Sequence, residues 1–287
     1  MFALDIQGMG KSFKGKKRQI VEALQGLNLS IGQGEVFGFL GPNGAGKSTT
    51  IKCLMGLIKP TYGTATIMGE PIGSVASRMK VGFLPENPAF YDYLSAEEYL
   101  LFVGGIFKMP AALLARRTEE MLKLLELWDA RKRPMRGYSK GMVQRVGLAQ
   151  VLLHDPDLYI LDEPMSGLDP LGRALVKNII IDLKKRGKSV FFSTHITDDV
   201  EKVCDRVGVI NKGQLLALDS VDHILQQGIE GYIVNITTAT GLREESFVTK
   251  SDLQIFIQRA TSNQCLIEKI QPRRKDMEAF FLEIVAR

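Results

Sequence analysis

Nine consecutive residues have the types and spacing to hold a phosphate chain: Gly41, Pro42, Asn43, Gly44, Ala45, Gly46, Lys47, Ser48 and Thr49. They fit the pattern G-x-x-x-x-G-K-S/T, also called Walker A, in which glycines let backbone N–H groups turn inward where a side chain would block the approach. Lys47 is expected to reach the β- and γ-phosphates of a nucleotide, and the Ser48 hydroxyl to bind Mg²⁺. A second candidate group is the carboxylate pair Asp162 and Glu163, which ends the apolar run Leu158, Tyr159, Ile160, Leu161. Asp162 can hold the Mg²⁺ coordination sphere, and Glu163 can polarise an attacking water as a general base. Alone, two acids before Pro164 read as a solvated turn. Beside a phosphate loop they read as the other half of a nucleotide-hydrolysing site.

Such groups need rigid elements to hold them. Glu35 to Leu40 reads as a buried strand entering the loop, and Thr50 to Met55 as a helix leaving it with its positive end toward the phosphates. Phe2–Gln7 and Ala23–Ile31 carry strand patterns, so the N-terminus is expected as antiparallel strands. The basic residues Lys11, Lys14, Lys16, Lys17 and Arg18 between them read as a solvated hairpin turn. Gly63–Gly69 and Val81–Leu84 are further short strands, the second stopped by Pro85 and Pro88.

Helices follow. Ser95 and Glu98 form a capping box opening a helix with Tyr99, Leu100, Phe102 and Val103. A second helix runs from after Pro110 to about Leu127, with Leu114, Met121, Leu122 and Leu125 on its apolar face. A third starts near Gly141, so residues from about 87 to 153 read as a helical insertion between strands. Strands return at Leu158–Leu161, Ser189–Phe192 and Val207–Ile210, with helices around 170–186 and 197–204. This alternation predicts a parallel sheet with right-handed crossovers. Asn211 to Gly213 is a closing hairpin turn. From about 219 a smaller unit is expected, with strands at Tyr232–Ile236 and Cys265–Ile270 and helices at 251–261 and 274–286.

A chain of 287 residues has room for one large domain and a small one, and 45% hydrophobic with 24% charged residues marks a globular protein. No secretory signal is legible, because Asp5 interrupts the start, and the longest near-apolar run, Tyr99 to Phe107, is too short to span a bilayer. The chain by itself is expected to be soluble. Cys53, Cys204 and Cys265 have neither metal spacing nor an even framework, which suits a reducing cytoplasm. The net charge of +5 decides no partner.

Further motifs carry a family resemblance. Tyr138, Ser139, Lys140, Gly141 and Met142, followed by Gln144 and Arg145, resemble the ABC signature, usually written LSGGQ. Ser166 to Asp169 resembles the D-loop, Val81 to Glu86 the Q-loop, and His195 stands where the family has its switch histidine. Phe13 stands where an aromatic ring stacks on adenine. Over residues 2–217 the chain resembles the nucleotide-binding subunits of ABC transporters. The resemblance implies an α/β P-loop NTPase core with a parallel sheet, an N-terminal antiparallel β-subdomain and the helical insertion. These make up an ATP-binding domain over 1–218, followed by a small α+β accessory domain over 219–287.

The resemblance also implies ATP and Mg²⁺ as cofactors, with two such subunits facing head to tail as a homodimer or heterodimer. ATP then lies between the phosphate loop of one and the signature of the other. Ser139 and the Gly141 backbone would bond the γ-phosphate across that interface, and Asp169 would belong to the same site. His195 would sense the γ-phosphate and hold the water with Glu163. Losing the γ-phosphate would free the subunits to part.

Two departures stand out. The signature has Tyr138 first, Lys140 for its first glycine and Met142 for its glutamine, while Glu86 replaces the Q-loop glutamine. A carboxylate at Glu86 can approach Mg²⁺ or its water but adds negative charge beside Asp162 and Glu163. Both departures resemble the branch serving ABC-2-type exporters. The expectation is an ATPase sitting peripherally on the cytoplasmic side of the inner or plasma membrane, on separate permease chains. The transported substrate is not legible, because selectivity resides in the membrane partner. The alternatives are an importer ATPase, or a non-transport relative acting on nucleic acid or ribosomes. The latter usually carries two cassettes or a long coiled coil, so no nucleic-acid partner is expected. A P-loop kinase would leave the signature, the D-loop and His195 unexplained.

Overall fold

The computed structural model describes residues 2–14, 20–238, 241–274 and 276–286. Lys16, Lys17 and Arg18 of the expected basic turn lie outside the described residues. The chain forms two compact units, Met1–Leu218 and Asp219–Arg287.

The first unit opens with two long strands, β1 (Phe2–Lys14) and β2 (Ile20–Gly32), then β3 (Val36–Leu40), helix α1 (Lys47–Leu54), β4 (Tyr62–Ile67) and β5 (Glu70–Pro71). After α2 (Val75–Met79) and β6 (Val81–Leu84) come α3 (Ala96–Ile106), α4 (Ala111–Leu124) and α5 (Lys140–Leu153). Then β7 (Leu158–Asp162), α6 (Pro170–Lys185), β8 (Ser189–Thr194), α7 (Thr197–Val203), β9 (Arg206–Asn211) and β10 (Gln214–Ser220) alternate.

Two sheets result. The first is antiparallel, in the order β2-β1-β4-β5. The second has the order β10-β9-β3-β8-β7-β6, and its pairings from β9 to β6 are parallel. Every residue of β3, β7 and β8 is buried. That explains why their middle residues are apolar and do not alternate with polar ones: both faces of a central parallel strand are covered. Lys212 and Gly213, with φ of +47° and +80°, make the two-residue turn from β9 to β10.

One core joins the two sheets around α1. Ile51, Cys53 and Leu54 pack with Leu4, Ile6 and Leu27 from the antiparallel sheet and with Phe37, Phe39 and Phe191 from the parallel one. Phe191 stacks on Phe37 at 6.0 Å and tilts against Phe39 at 5.4 Å. Burying each such ring stabilises the fold by roughly 2–3 kcal/mol. This core is what holds the C-terminal ends of the parallel strands, and the loops after them, in register.

The insertion begins as the sequence predicts: Ser95 N–H donates to Glu98 Oε2 at 2.9 Å and Glu98 N–H to Ser95 Oγ at 3.3 Å. Helix boundaries differ elsewhere. Helix α1 starts at Lys47 and not at Thr50, because Gly46, with φ +114°, already serves as its N-cap. Helix α5 starts at Lys140, with Ser139 as N-cap.

In the second unit, α8 (Val221–Gln227), β11 (Ile229–Thr237), β12 (Arg243–Thr249), α9 (Leu253–Ser262), β13 (Leu266–Arg274) and α10 (Met277–Ala286) form an antiparallel sheet ordered β12-β11-β13 with helices. Val234, Ile236, Val248 and Ala260 are its core, with Phe256 and Ile267 packed against them. No helix among the described residues is long and apolar enough to cross a membrane. All three cysteines are free, and burial pushes the Cys204 thiol well above its ordinary pKa.

Candidate functional site

The phosphate-loop pattern lies between β3 and α1. Its backbone is tightly enclosed on one side: a Cβ added to Gly41 would sit 2.4 Å from the Ile210 carbonyl oxygen, and one on Gly46 2.8 Å from that of Ala23. Gly44, with φ +79°, faces open space. Gly41 N–H donates to Thr194 O at 3.2 Å, and Gly213 N–H to Ala45 O at 2.8 Å, so β8 and the β9–β10 turn brace the loop. Helix α1 has no side-chain cap. Its first N–H groups and the positive end of its dipole are therefore available to an anion. Pro42, Ser48 and Thr49 are half-buried; Asn43 is exposed.

Lys47 is 6% exposed and folds back across the loop. Its Nζ donates to Gly41 O at 2.6 Å and lies 3.3 Å from Glu163 Oε1. Glu163, also buried, follows the last residue of β7 with φ +48°, a left-handed conformation costing about 1–2 kcal/mol for a side-chain-bearing residue. Its N–H donates to Ser193 O at 3.2 Å and to Ser193 Oγ at 3.1 Å, which holds that conformation. The same Ser193 hydroxyl donates to Asp162 Oδ1 at 2.5 Å. His195, just past β8, places Nδ1 3.0 Å from Glu163 Oε2 and 3.1 Å from Oε1. Nδ1 thus faces the carboxylate at donor distance, and Nε2 is not engaged in that contact.

Lys47, Asp162, Glu163 and His195 thus meet at the C-terminal edge of the parallel sheet, where ligands bind in open α/β folds. Other expected residues lie apart from these contacts. Ser139 is exposed and accepts from Met142 N–H at 3.3 Å at the start of α5. Gly141 is half-buried, and a Cβ there would touch Leu168 at 3.8 Å. Asp169 caps α6, accepting from Gly172 N–H at 2.8 Å. Glu86 is exposed just beyond β6 with no hydrogen bond or ion pair among the described residues. Phe13 is 41% exposed on β1, with Lys11 Nζ 5.0 Å from its ring centroid. Lys140, the departure from glycine, lies over Gly167, where a Cβ would come within 2.8 Å of its Cε.

One contributor escapes motif reading. Ser193 ties both carboxylate positions together, and its signal is only a small polar residue in a buried apolar strand. Gln144, read in sequence only as part of the signature-like stretch, is 3% exposed and donates to Pro164 O at 3.1 Å, fixing the segment after Glu163 from α5. Within the insertion, a cleft of about 450 Å³ is lined by Phe90, Tyr91, Tyr99, Phe102, Ile106 and Phe107, among others.

Comparison with known proteins agrees with this architecture. A family model described as ABC transporter matches residues 24–166. An uncharacterised ABC transporter ATP-binding protein of Nostoc sp. is 49% identical over 72% of this chain. The chain spans 62% of that relative's length and 61% of that of a Synechocystis relative. The Nod factor export ATP-binding protein I of Rhizobium sp. is 34% identical over 82% of this chain and 76% of its own length. Among solved structures, a dimeric ATP-binding cassette in a post-hydrolysis state, bound to ADP and Pi, superposes with a TM-score of 0.70. It is 26% identical, over 76% of this chain and 98% of that one. The fold and site define a nucleotide-binding P-loop protein. The chain belongs to the family of ABC transporter ATP-binding proteins.

Proposed function

We propose that the protein hydrolyses ATP as the nucleotide-binding subunit of a transporter, the exporter reading being favoured, on separate permease subunits at the cytoplasmic side of the membrane. The observation that carries this is the meeting of Lys47, Glu163 and His195, from three separate segments, within 3.3 Å contacts beside the phosphate loop. The loop Gly41 to Thr49 holds the triphosphate through those of its backbone N–H groups that are free, and Lys47 supplies a fixed positive charge. Pro42 has no N–H, and that of Gly41 is taken by Thr194 O. Glu163 takes a proton from the attacking water, and His195 orients both through its bond to that carboxylate. Ser48 and Asp162 would hold Mg²⁺, and Glu86 would act toward it or its water. Mg²⁺ when bound neutralises charge on the phosphoryl oxygens. This donor set of few protein oxygens fits an ion that completes its sphere with phosphate and water.

Phe13 stacks on adenine. Ser139, Gly141 and Asp169 act from the partner of a head-to-tail dimer, and their placement on exposed or half-buried turns at helix starts supports that role. The aromatic cleft beside the Glu86 loop receives a helix of the permease. The exporter reading draws on Glu86, the signature variant and the likeness to a Nod factor export protein. The test is Glu163→Gln: ATP binding is retained while steady-state hydrolysis falls at least a hundredfold, by about the contribution of a general base. Retained turnover would remove the assignment.

A further inference from the structure

His195 is held unusually lightly for a residue that must be well placed. Its side chain is 50% exposed, and its hydrogen bonds among the described residues are those to Glu163. An imidazole that is not packed depends on its backbone for position. Upstream the backbone is fixed, because Thr194 ends a buried strand and accepts from Gly41 N–H. Downstream, Ile196 is the N-cap of the seven-residue α7 and gives it no side-chain cap. Two like charges, Asp198 and Asp199, follow in the first turn.

A cation from a different element resolves that repulsion. Lys177, in the middle of α6, places Nζ 2.8 Å from Asp198 Oδ2 and 2.8 Å from Asp199 Oδ1. Asp199 is 2% exposed, its Oδ2 has no hydrogen-bond partner, and Lys177 is its ion-pair partner among the described residues. A buried carboxylate with one counter-charge is strongly bound to it, since losing that charge leaves an uncompensated ion. Lys202 also pairs with Asp198, at 2.7 Å, but lies exposed on the same helix and ties α7 to nothing else.

We propose that Lys177 is a positioning residue for His195: it clamps the first turn of α7 to α6 and so fixes the loop that holds the imidazole against Glu163. Only Ile196 and Thr197 separate His195 from the clamped pair. This rests on the hydrolytic reading for its functional consequence, though the clamp itself does not.

The test uses the full chain with Lys177→Met, Lys177→Arg and the double variant Lys177→Met/Asp199→Asn, which leaves no unpaired buried charge if the single change fails to fold. Without nucleotide, the histidine ring signals of His154, His195 and His223 are followed by NMR. The His195 signal should shift in the Met variants, return toward wild type with Arg, and leave the other two unmoved. In steady-state hydrolysis, kcat should fall roughly ten- to a hundredfold with KM for ATP within about twofold, and Arg should restore most of it. A folded double variant with an unmoved His195 signal, or with wild-type kcat, overturns the clamp. If the wild-type chain hydrolyses nothing, the hydrolytic reading fails instead, and the NMR comparison still decides the clamp.

Discussion

At the scale of single residues, the site is built from charges held at fixed distances and from glycines that permit close approach. Lys47→Ala should weaken nucleotide binding about ten- to a hundredfold by calorimetric titration, the worth of one charge-assisted contact. The glycines are not equivalent. Gly41→Ala forces a Cβ to 2.4 Å from a carbonyl oxygen, so urea unfolding should show a loss of about 2 kcal/mol or more. Gly44→Ala meets open space and bears only the backbone strain of φ +79°, roughly 1 kcal/mol. Lys47, Asp162, Glu163 and His195 were legible because each sits in a motif of fixed spacing. Ser193 and Lys177 were not, because their work is done on segments about 20–30 residues away. No local pattern records such a contact.

At the scale of elements, long patterned segments were readable and short ones were not. The capping box at Ser95 and the apolar runs of β3, β7 and β8 stood out in sequence. Helices α2 and α8, of five and seven residues, are too short to display a helical period. Strand β12 is an edge strand whose Arg243, Glu244 and Glu245 hide its β character. Ser95→Ala should lower stability by about 1 kcal/mol in chemical denaturation. His154, at the C-cap of α5, stacks on Phe107 at 3.7 Å, and burial holds its pKa below the ordinary value. The unfolded ring titrates near its usual pKa of about 6.5, so the unfolded chain binds more protons below that pH. Stability should therefore fall as pH drops from about 6.5 toward the lower folded value. His154→Phe, which keeps the stack, should flatten that part of the profile in urea melts at pH 7.5 and 5.5.

At the scale of the whole molecule, the head-to-tail proposal makes a prediction about assembly. With ATP, the Glu163→Gln chain should sediment as a dimer, and adding Ser139→Arg to the same chain should return it to monomer. An unchanged sedimentation coefficient would leave Ser139 without a role across an interface. One described contact also bears on how this protein can be handled. The β9–β10 turn looks like a surface hairpin, the usual place for an epitope tag, a reporter insertion or new chain ends. Yet a Cβ on Gly213 would lie 2.7 Å from the Ala23 carbonyl oxygen, which Gly46 also faces, and its N–H donates to Ala45. An insertion there would press directly on the phosphate loop through a single shared carbonyl. Tags belong elsewhere, and a probe placed at Lys212 would report on the nucleotide pocket from more than 160 residues downstream of it.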